Sequence, residues 1–558
     1  MTASDPAPPP HAFRGTGEQV QAIQFPYRRS PDQDAPAPVR HPVVVVGAGP
    51  VGLTLAIDLA QRGQPVVLVD NDDRLSTGSR ALCFAKRTLE IWDRLGVGDA
   101  MVDKGVSWKV GKVFLKDAQL YQFDLLPEDG HARPAFINLQ QYYCEAFLVE
   151  RALQLPLLDI RWKHGLTAID SRSDGAVLTL DTPDGAYRIE ADWLVACDGS
   201  RSPTRQLLGL ESQGRVFRDR FLIADVRMTA DFPTERWFWF DPPFHPGQSV
   251  LLHREPDNVW RIDFQLGWDA DPQAERQPER IIPRVRALLG PDVDFTLEWA
   301  SVYTFACQRM ARFVHGRVVF AGDSAHGVSP FGARGANSGV QDADNLGWKL
   351  HRVLQGRADA RLVDSYGSER EAAADENILN SSRATDFITP KSEISRLFRD
   401  QVLALARHHA FARRLVNSGR LSVPATLHDS PLNTPDTDTG DDAFAGAAVP
   451  GAPLCDAPVR GAEAAGGDAG WLLRSLGDDF TLLVFGEAPP WTSALPGVAV
   501  RRIGIDLHDT QGLVAHRLDG RPGTAYLLRP DQHVCARWRR PTHADVRGAL
   551  ARAGGLAA

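Results

Sequence analysis

The chain has 558 residues, enough for three or four domains at roughly 150 residues per domain. With 43% hydrophobic and 24% charged residues, its composition is that of an ordinary globular protein and excludes a disordered, collagen-like or coiled-coil protein. The 62 basic and 70 acidic residues give a formal net charge of −8. Because no strongly basic block is present, we do not expect nucleic-acid binding.

The six cysteines lie far apart and form no Cys-x-x-Cys pair, so neither a disulfide framework nor a metal site is expected. The first residues lack the apolar segment of a secretory signal, and no apolar stretch is long enough to span a membrane. These features predict a soluble, cytoplasmic protein. Residues 1–40 are rich in proline, alanine and charge, and we predict that they form a tail or an extended arm.

The first strong pattern is a βαβ unit that starts at His41. Its VVVV and VVLVD runs predict two buried strands, and the turn between them, Gly47-Ala-Gly49-Pro50-Val51-Gly52, opens an apolar helix. Glycines there let the backbone approach a pyrophosphate at the helix N-terminus. Asp70 ends the second strand, where its carboxylate can accept hydrogen bonds from a ribose. The motif predicts a dinucleotide site but does not separate FAD from NAD, and an ordinary glycine turn is the alternative.

Two later segments repeat one arrangement, an aspartate next to a glycine directly after an apolar strand. LVACDGSRSPTRQLLG carries Asp198 and Gly199, and GRVVFAGDSAHGVSPFGARGANSGVQDADNLGWKL carries Gly322 and Asp323. Between them, residues 215–305 alternate bulky apolar and polar residues, which predicts a half-exposed antiparallel sheet.

The C-terminal part of the chain is predicted to be a separate module. A stretch rich in proline, aspartate and glycine at 424–460 indicates a linker. Beyond it lie predicted strands, a hairpin around Pro530 and a last helix.

The three motifs in this order closely resemble the FAD-dependent aromatic hydroxylases, the flavoprotein monooxygenases of the p-hydroxybenzoate, phenol and 3-(3-hydroxyphenyl)propionate hydroxylase type. The resemblance covers roughly residues 41–390 and includes a segment from Ser79 that carries Arg80 and another from Ile137 that carries Gln140. It implies an α/β fold: a Rossmann-type FAD-binding domain, an inserted antiparallel-sheet substrate domain and a C-terminal thioredoxin-like domain. The implied division is a tail (1–40), the FAD-binding domain (41–210 and 306–395), the substrate-binding sheet (211–305), a helical segment and linker (396–446) and the thioredoxin-like domain (447–558).

The resemblance also implies the residues that bind FAD. They are Gly47, Gly49, Pro50, Val51, Gly52, Asp70, Arg80, Gln140, Asp198, Gly199, Arg201, Gly322, Asp323, Pro330, Gly335, Ala336 and Asn337. Asp323 would accept hydrogen bonds from the ribityl chain, and the helix that begins at Gly335 would stabilise the negative charge of the reduced flavin. Arg201 and Arg205 are candidates for the pyrophosphate or nicotinamide phosphates, with a surface ion pair as the alternative for each.

Arg80, His326 and Pro330 are the catalytic candidates. A structural role is the alternative for Arg80, and a hydrogen bond beside the cofactor is the alternative for His326. Because no tyrosine occurs between Tyr187 and Tyr303, we expect no tyrosine of the sheet to relay a phenol proton, and the base is left unidentified.

In this family the sheet covers an apolar pocket over the flavin. Trp239, Phe264 and Phe331 are the candidates for substrate binding, with plain core packing as the alternative for aromatic residues on strands. The run Trp237-Phe-Trp239-Phe-Asp241-Pro242 resembles a signature of flavin-dependent halogenases, but Asp241 replaces its isoleucine and its position in the chain differs.

The activity implied by the resemblance is hydroxylation of a phenolic or similar aromatic substrate by O₂ through a flavin hydroperoxide, with NADPH or NADH as reductant. A larger polycyclic, polyketide-type substrate or an epoxidation is the first alternative, and a non-catalytic flavin-binding interaction protein is the second. The sequence does not determine the substrate, the choice of nicotinamide or the oligomeric state, for which a homodimer is the family expectation.

Overall fold

The computed structural model describes residues 8, 10–78, 80–230, 232–416, 421, 423–461 and 470–555. Ser79, the first residue of the predicted arginine-containing segment, lies outside the described residues, as do residues 1–7 and 9 of the expected tail.

The N-terminal part of the chain contains the predicted βαβ unit. Its strands are β1 (Val39–Val46), β2 (Val66–Asp70), β3 (Cys83–Ala85), β4 (Val106–Trp108), β5 (Val110–Leu115), β6 (Ala118–Asp124), β7 (Phe136–Asn138), β8 (Leu158–Trp162), β9 (Gly165–Arg172), β10 (Gly175–Asp181) and β11 (Tyr187–Ala196). Its helices are α1 (Gly17–Gln21), α2 (Pro50–Gln61), α3 (Lys86–Arg94), α4 (Gly98–Lys104), α5 (Gln141–Ala152) and α6 (Pro203–Leu207). The βαβ prediction is confirmed, because β1 and β2 pair in parallel on either side of α2.

The middle part supplies most of a second sheet. Its strands are β12 (Ser212–Val216), β13 (Arg220–Met228), β14 (Arg236–Phe240), β15 (Ser249–Arg254), β16 (Val259–Leu266), β17 (Phe295–Tyr303) and β18 (Ala306–Met310), and its helices are α7 (Pro272–Glu275) and α8 (Pro278–Leu289). The strand order of this middle sheet is β17-β13-β16-β15-β14-β5-β6. Every neighbouring pair is antiparallel except β14 and β5. The expected boundary at 211–305 is therefore too narrow, since β5 and β6 come from the preceding part of the chain.

The chain then returns to the first unit. It forms β19 (Val314–His315), β20 (Val318–Phe320), β21 (His326–Gly327), α9 (Gly335–Leu354), α10 (Arg361–Ile388), α11 (Glu393–Ala406) and α12 (Ala410–Val416). The sheet of the first unit has the main order β19-β20-β11-β1-β2-β8, with β10 and β9 added through β11. Strands β20, β11, β1, β2 and β8 are parallel, and their carboxyl ends meet at one edge, which is where α/β sheets bind ligands.

The C-terminal module is built on its own seven-stranded sheet. Its elements are β22 (Pro458–Gly461), β23 (Gly470–Trp471), β24 (Phe480–Phe485), β25 (Val498–Ile503), β26 (Leu507–Asp509), β27 (Ala525–Leu528), β28 (Val534–Trp538), α13 (Leu513–Arg517) and α14 (His543–Ala553). The strand order is β23-β22-β26-β25-β24-β27-β28. The predicted hairpin around Pro530 is confirmed by the antiparallel pairing of β27 with β28. All six cysteines of the chain are free thiols.

A fully buried set of charges, which we call the junction network, joins this module to the first unit. It consists of Lys349 on α9, Glu369 on α10, and Arg529 and Asp531 in the β27–β28 turn. Glu369 accepts from Lys349 Nζ at 2.7 Å and from Arg529 Nη1 at 2.6 Å, while Arg529 Nε donates to Asp531 at 3.0 Å. Each charge therefore faces an opposite charge within hydrogen-bonding distance.

The expectation of an N-terminal tail is wrong for residues 10–40. Phe13, Val20, Ile23 and Phe25 are buried in the core of the first unit, and the Phe25 ring stacks on Trp162 with centroids 4.4 Å apart. These apolar side chains follow no helical or strand period, which hid them among prolines and charges. Within the described ranges, no helix is long and apolar enough to cross a membrane, and no group of three or more His, Cys, Asp or Glu side chains could hold a metal ion.

Candidate active site

The glycine-rich turn between β1 and α2 leaves the N-terminus of α2 open. Gly47 has φ +104°, and a Cβ there would lie 2.5 Å from the carbonyl oxygen of Cys197, so the position requires glycine. A Cβ on Gly52 would lie 2.0 Å from the Gly47 carbonyl oxygen. Among the described residues, a Cβ on Gly49 would have no neighbouring atom within 4 Å, and no side chain caps the helix. Free N–H groups beside open space fit a pyrophosphate.

Asp70 lies next to this turn, as predicted. Its carboxylate accepts hydrogen bonds from the backbone N–H groups of Ala48, at 2.6 Å, and Asp72, at 2.8 Å. Burial raises the pKa of this carboxyl, and the two N–H groups oppose that shift. The carboxylate thus fixes the shape of the turn while being only partly buried, which leaves lone pairs for a ribose diol.

The loop after β11 holds a second aspartate in place. Asp198 Oδ2 accepts from the Thr204 N–H at 2.9 Å, whereas its buried Oδ1 has no hydrogen-bond partner among the described residues. Gly199 has φ +78°, and Arg201 is exposed. Arg205 donates to the carbonyl oxygens of Ser324 and Ser200, both at 2.6 Å, so it joins this loop to the one after β20 instead of forming a surface ion pair.

The loop after β20 leads into α9 and faces the open N-terminus of α2. We call the space between the N-termini of α2 and α9 the opening. A Cβ on Gly335 would lie 4.0 Å from Oδ1 of Asp323, so the carboxylate stands beside the first turn of the helix. Asp323 is exposed toward the opening. Desolvation by the surrounding protein raises the pKa of its carboxyl. No side chain in the described part of the chain caps α9, a helix of 20 residues. The N-terminus of α9 can therefore stabilise negative charge on a bound group.

The side chain of Asn337 makes four hydrogen bonds within the protein, so only its backbone is available to a cofactor. Oδ1 accepts from the Ala85 N–H at 2.8 Å and from Thr88 Oγ1 at 2.7 Å, while Nδ2 donates to the carbonyl oxygens of Cys83 and Ala333. Asn337 thereby ties β3 and α3 to the start of α9. Only its N–H, with those of Gly335 and Ala336, is left for a cofactor.

His326 does not line the opening. It is buried below the loop, where its Nε2 lies 2.7 Å from Oδ2 of Asp342 and its ring stacks on Phe313. Asp342 also binds Arg370 Nε at 2.6 Å and the Gly322 N–H at 2.9 Å. Burial alone would raise the pKa of Asp342, but His326 and Arg370 lower it. This arrangement favours the alternative role of His326, a hydrogen-bonded residue that positions the loop.

Arg80 and Gln140 occupy different surroundings. Arg80 is exposed and lies within electrostatic range of both Asp323 and Tyr303, so it faces the opening from the side of β3. Gln140 is buried at the start of α5, where its Nε2 donates to the carbonyl oxygen of Pro256 at 3.3 Å. Pro330 is exposed at the start of the loop that leads to α9.

The two faces of the middle sheet separate the predicted substrate residues. Trp239 and Phe264 belong to an outer face, which packs on Ile281 and Val285 of α8. Their prediction as pocket residues is therefore corrected, and the alternative of core packing holds for both. Trp239 instead lines an outer cavity of about 590 Å³.

Phe331 lies on the opposite side of the sheet, which we call the inner face. Its ring contacts that of Phe221 edge-on at 4.9 Å, and Phe238 and Phe240 belong to the same apolar cluster. The inner face of the middle sheet therefore covers the opening between β3 and the N-terminus of α9.

Sequence reasoning missed the polar residues of this inner face. Along β16, Trp260, Ile262 and Phe264 point outward, and Arg261 and Asp263 alternate with them. The same period of two identifies them once the apolar face is assigned to α8. Tyr303 is the last residue of β17, so the sheet does carry a tyrosine, and the absence of a tyrosine relay stays a prediction.

The comparisons with known proteins agree with this geometry. A family model described as an FAD binding domain matches residues 40–381. The chain is 31% identical over 534 residues to 6-methylpretetramide 4-monooxygenase of Streptomyces rimosus, a match that covers 91% of this chain and 92% of that protein. It is also 31% identical over 336 residues to a probable NADH-specific resorcinol 4-hydroxylase of Rhodococcus jostii, which covers 59% and 62%.

Solved structures show the same fold. The chain is similar to the flavin-dependent monooxygenase PieE, solved in complex with FAD and substrate, with a TM-score of 0.81 and 24% identity over 93% of this chain and 100% of that one. Aklavinone-11 hydroxylase, solved with FAD and aklavinone, gives a TM-score of 0.74 at 23% identity over 92% of this chain and 98% of that one. The chain therefore belongs to the FAD-dependent aromatic hydroxylases, a family of flavoprotein monooxygenases.

Proposed function

We propose that this monooxygenase consumes NADPH or NADH and inserts one oxygen atom of O₂ into an aromatic ring that carries a hydroxyl group. The observation that carries the proposal is the opening between two uncapped helix N-termini, those of α2 and α9, and the inner face of the middle sheet. When bound there, FAD supplies the hydride acceptor and the oxygen activation that no amino-acid side chain provides.

The polar groups around the opening suit those of FAD. The α2 N-terminus would hold the pyrophosphate and Asp70 the ribose. Asp323 would accept hydrogen bonds from the ribityl hydroxyls, and the N–H groups at Gly335–Asn337 would contact the pyrimidine edge of the ring. Phe331 and the aromatic residues beside it would keep water away from the reacting ring.

The space beside Gly49 provides a direct test of this assignment. Gly49→Ala adds a methyl group that has no described protein atom within 4 Å. It would enter the space assigned to the pyrophosphate. We expect the folded variant to bind FAD about tenfold to a hundredfold more weakly, from the 1–3 kcal/mol usual for such overpacking. Gly267→Ala, at another position with open space, is the control and should leave the FAD dissociation constant unchanged. Unchanged FAD affinity in Gly49→Ala would refute the pyrophosphate assignment.

A polycyclic, polyketide-type phenol is the second candidate substrate. The match to 6-methylpretetramide 4-monooxygenase spans nearly the whole chain, C-terminal module included, while the match to the resorcinol hydroxylase covers 59% of it. Turnover under ¹⁸O₂ with resorcinol and with 1,8-dihydroxyanthraquinone decides between the two sizes, because the label enters the product that fits. If flavin is reduced but both compounds yield only H₂O₂, the proposal of a hydroxylated aromatic substrate fails.

Three further assignments complete the proposal. The C-terminal module is a thioredoxin-like domain that serves packing, since Cys455 is exposed and Cys535 is buried as separate free thiols. The enzyme works in the cytoplasm, and it forms a homodimer. Size-exclusion chromatography with light scattering tests the dimer directly.

A further inference from the structure

The register of the middle sheet arranges the inner-face side chains in three rows across the strands. The first row contains Trp299, Asp225, Arg261 and His253; the second contains Ser301, Ile223, Asp263, Leu251 and Phe238; the third contains Tyr303, Phe221 and Gln265. Among these five residues of the central row Asp263 is the one carboxylate, and it lies in the middle of the sheet.

The two flanking rows face the two segments assigned to the flavin. From the first row, Nδ1 of His253 lies 4.0 Å from Sγ of Cys83 on β3. From the third row, Phe221 contacts the ring of Phe331, in the loop before α9. The central row therefore faces the gap between β3 and that loop, which places the Asp263 carboxylate over the space assigned to the aromatic rings of cofactor and substrate.

Asp263 differs from the aspartate on the adjacent strand in its partners. Asp225 forms a bidentate ion pair with Arg261, with distances of 2.8 and 2.7 Å, and Arg261 also lies 3.2 Å from Glu255. Oδ1 of Asp263 is buried and has no hydrogen-bond partner in the described part of the chain, and the same is true of Nη1 of Arg236. A buried carboxylate oxygen without a donor is costly unless a ligand supplies one.

We propose that Asp263 is the general base that accepts the proton of the substrate hydroxyl group. The inference rests on the proposed function and names the base of that reaction. The O–H bond of the phenol breaks, a bond forms between that proton and an oxygen of Asp263, and the electron pair stays on the phenolate oxygen, which activates the ring toward oxygen insertion. The proton passes to bulk water when the product leaves.

The electrostatic surroundings suit this role. Burial raises the pKa of Asp263 to about 6, against the lowering effect of Arg261 and Arg236. A carboxylate with this pKa is ionised at neutral pH and is a stronger base than an exposed aspartate. The other titratable or charged groups that face it from the elements packed around it are Asp225, His253, Glu255, Tyr303, Cys83 and Arg80. Burial and the neighbouring Asp225 also raise the pKa of Glu255, to about 8.

The first test compares product formed with nicotinamide consumed, using FAD-loaded enzyme with resorcinol and 1,8-dihydroxyanthraquinone. In the wild type this ratio should rise with pH through about 6, because Asp263 must be ionised. In Asp263→Asn the rate of product formation should fall about a hundredfold, the size expected for a general base, so the ratio should fall and lose that step. Asp263→Glu should restore part of it. The control is Glu298→Gln, which removes an exposed carboxylate paired with Arg227 on the same sheet and should behave as wild type.

The second test follows the proton itself by infrared difference spectroscopy, with 4-nitrophenol bound to the oxidised holoenzyme at pH 6.5, where the free probe still carries its hydroxyl proton and Asp263 is mostly ionised. A carboxylic acid C=O band should appear when the probe binds to the wild type and should be absent in Asp263→Asn. Absence of the band in the wild type, or its persistence in Asp263→Asn, would overturn the assignment.

The two proposals fail in different ways. If wild-type enzyme hydroxylates neither aromatic probe, the proposed function is wrong. If the wild type forms product and Asp263→Asn keeps its ratio and its pH step, the monooxygenase assignment stands and Asp263 is not the base.

Discussion

Two buried charge clusters in this protein are built from the same kinds of side chain but are satisfied differently. In the junction network every charge has an opposite charge in contact, and Lys349 and Arg529 share Glu369. On the inner face of the middle sheet, Asp225 and Arg261 are paired in the same way, while Asp263 beside them keeps a buried oxygen without a donor. Pairing, more than burial, therefore separates charges that stabilise the fold from a charge that is available for chemistry.

The pKa values of the two clusters express this difference. Burial would raise the pKa of Glu369, but Arg529 and Lys349 lower it far below its usual value. For Asp263, burial prevails and the pKa rises to about 6. Glu369 is therefore ionised around neutral pH, whereas Asp263 can change its protonation state near pH 6.

The largest expected effect is on stability, when the junction network loses one partner. Glu369→Gln leaves Arg529 and Lys349 as buried charges with less compensation, and we expect the free energy of unfolding to fall by about 3–5 kcal/mol. Urea denaturation of the holoenzyme measures the loss. Glu298→Gln, which breaks an exposed pair, should cost less than about 1 kcal/mol. Equal losses in the two variants would show that the network does not stabilise the fold.

A smaller effect of opposite sign is expected for Asp263→Asn. The pKa of Asp263 is raised in the folded state, so the folded protein binds more protons than the unfolded chain between about pH 4 and 6. Ionisation of Asp263 therefore lowers stability as the pH rises through this window. Asp263→Asn removes that cost and should be more stable than the wild type by up to about 3 kcal/mol at pH 8, and the difference should vanish below about pH 4. A variant less stable than the wild type at pH 8 would show that ionised Asp263 does not lower the stability of the fold.

The smallest expected effect concerns a third buried set, the pairing of His326 with Asp342 below the Gly322–Asp323 loop. His326→Gln removes one of the partners that hold the loop while Arg370 still pairs with Asp342. We expect FAD to bind about fivefold to tenfold more weakly, which corresponds to one lost hydrogen bond of about 1 kcal/mol. The measurement is the FAD dissociation constant by fluorescence titration. If His326→Gln binds FAD normally but loses the pH step of product formation, His326 is a proton-transfer group and not a positioning residue.

Local sequence patterns are sufficient to predict the first βαβ unit. The β1–α2–β2 unit and the three Gly/Asp motifs are continuous in sequence, and each follows a buried strand whose period is easy to recognise. The covering sheet was harder to predict. Strands β5 and β6 lie about a hundred residues before the rest of the sheet, and the run WFWF is aromatic on both faces. Sequence alone could not tell that Trp239 faces α8 while Phe238 faces the opening, because that choice depends on which helix covers which face.

The most direct test compares Asp263→Asn with Glu369→Gln in the same two assays, urea unfolding and the ratio of hydroxylated product to nicotinamide consumed. We expect the two variants to give opposite results in these assays. Glu369→Gln should lose stability and, while folded, keep the wild-type ratio. Asp263→Asn should keep or gain stability, and its ratio should fall because product forms about a hundredfold more slowly. If instead Asp263→Asn is destabilised like Glu369→Gln and still couples nicotinamide oxidation to hydroxylation, the unpaired carboxylate is part of the fold and not of the chemistry.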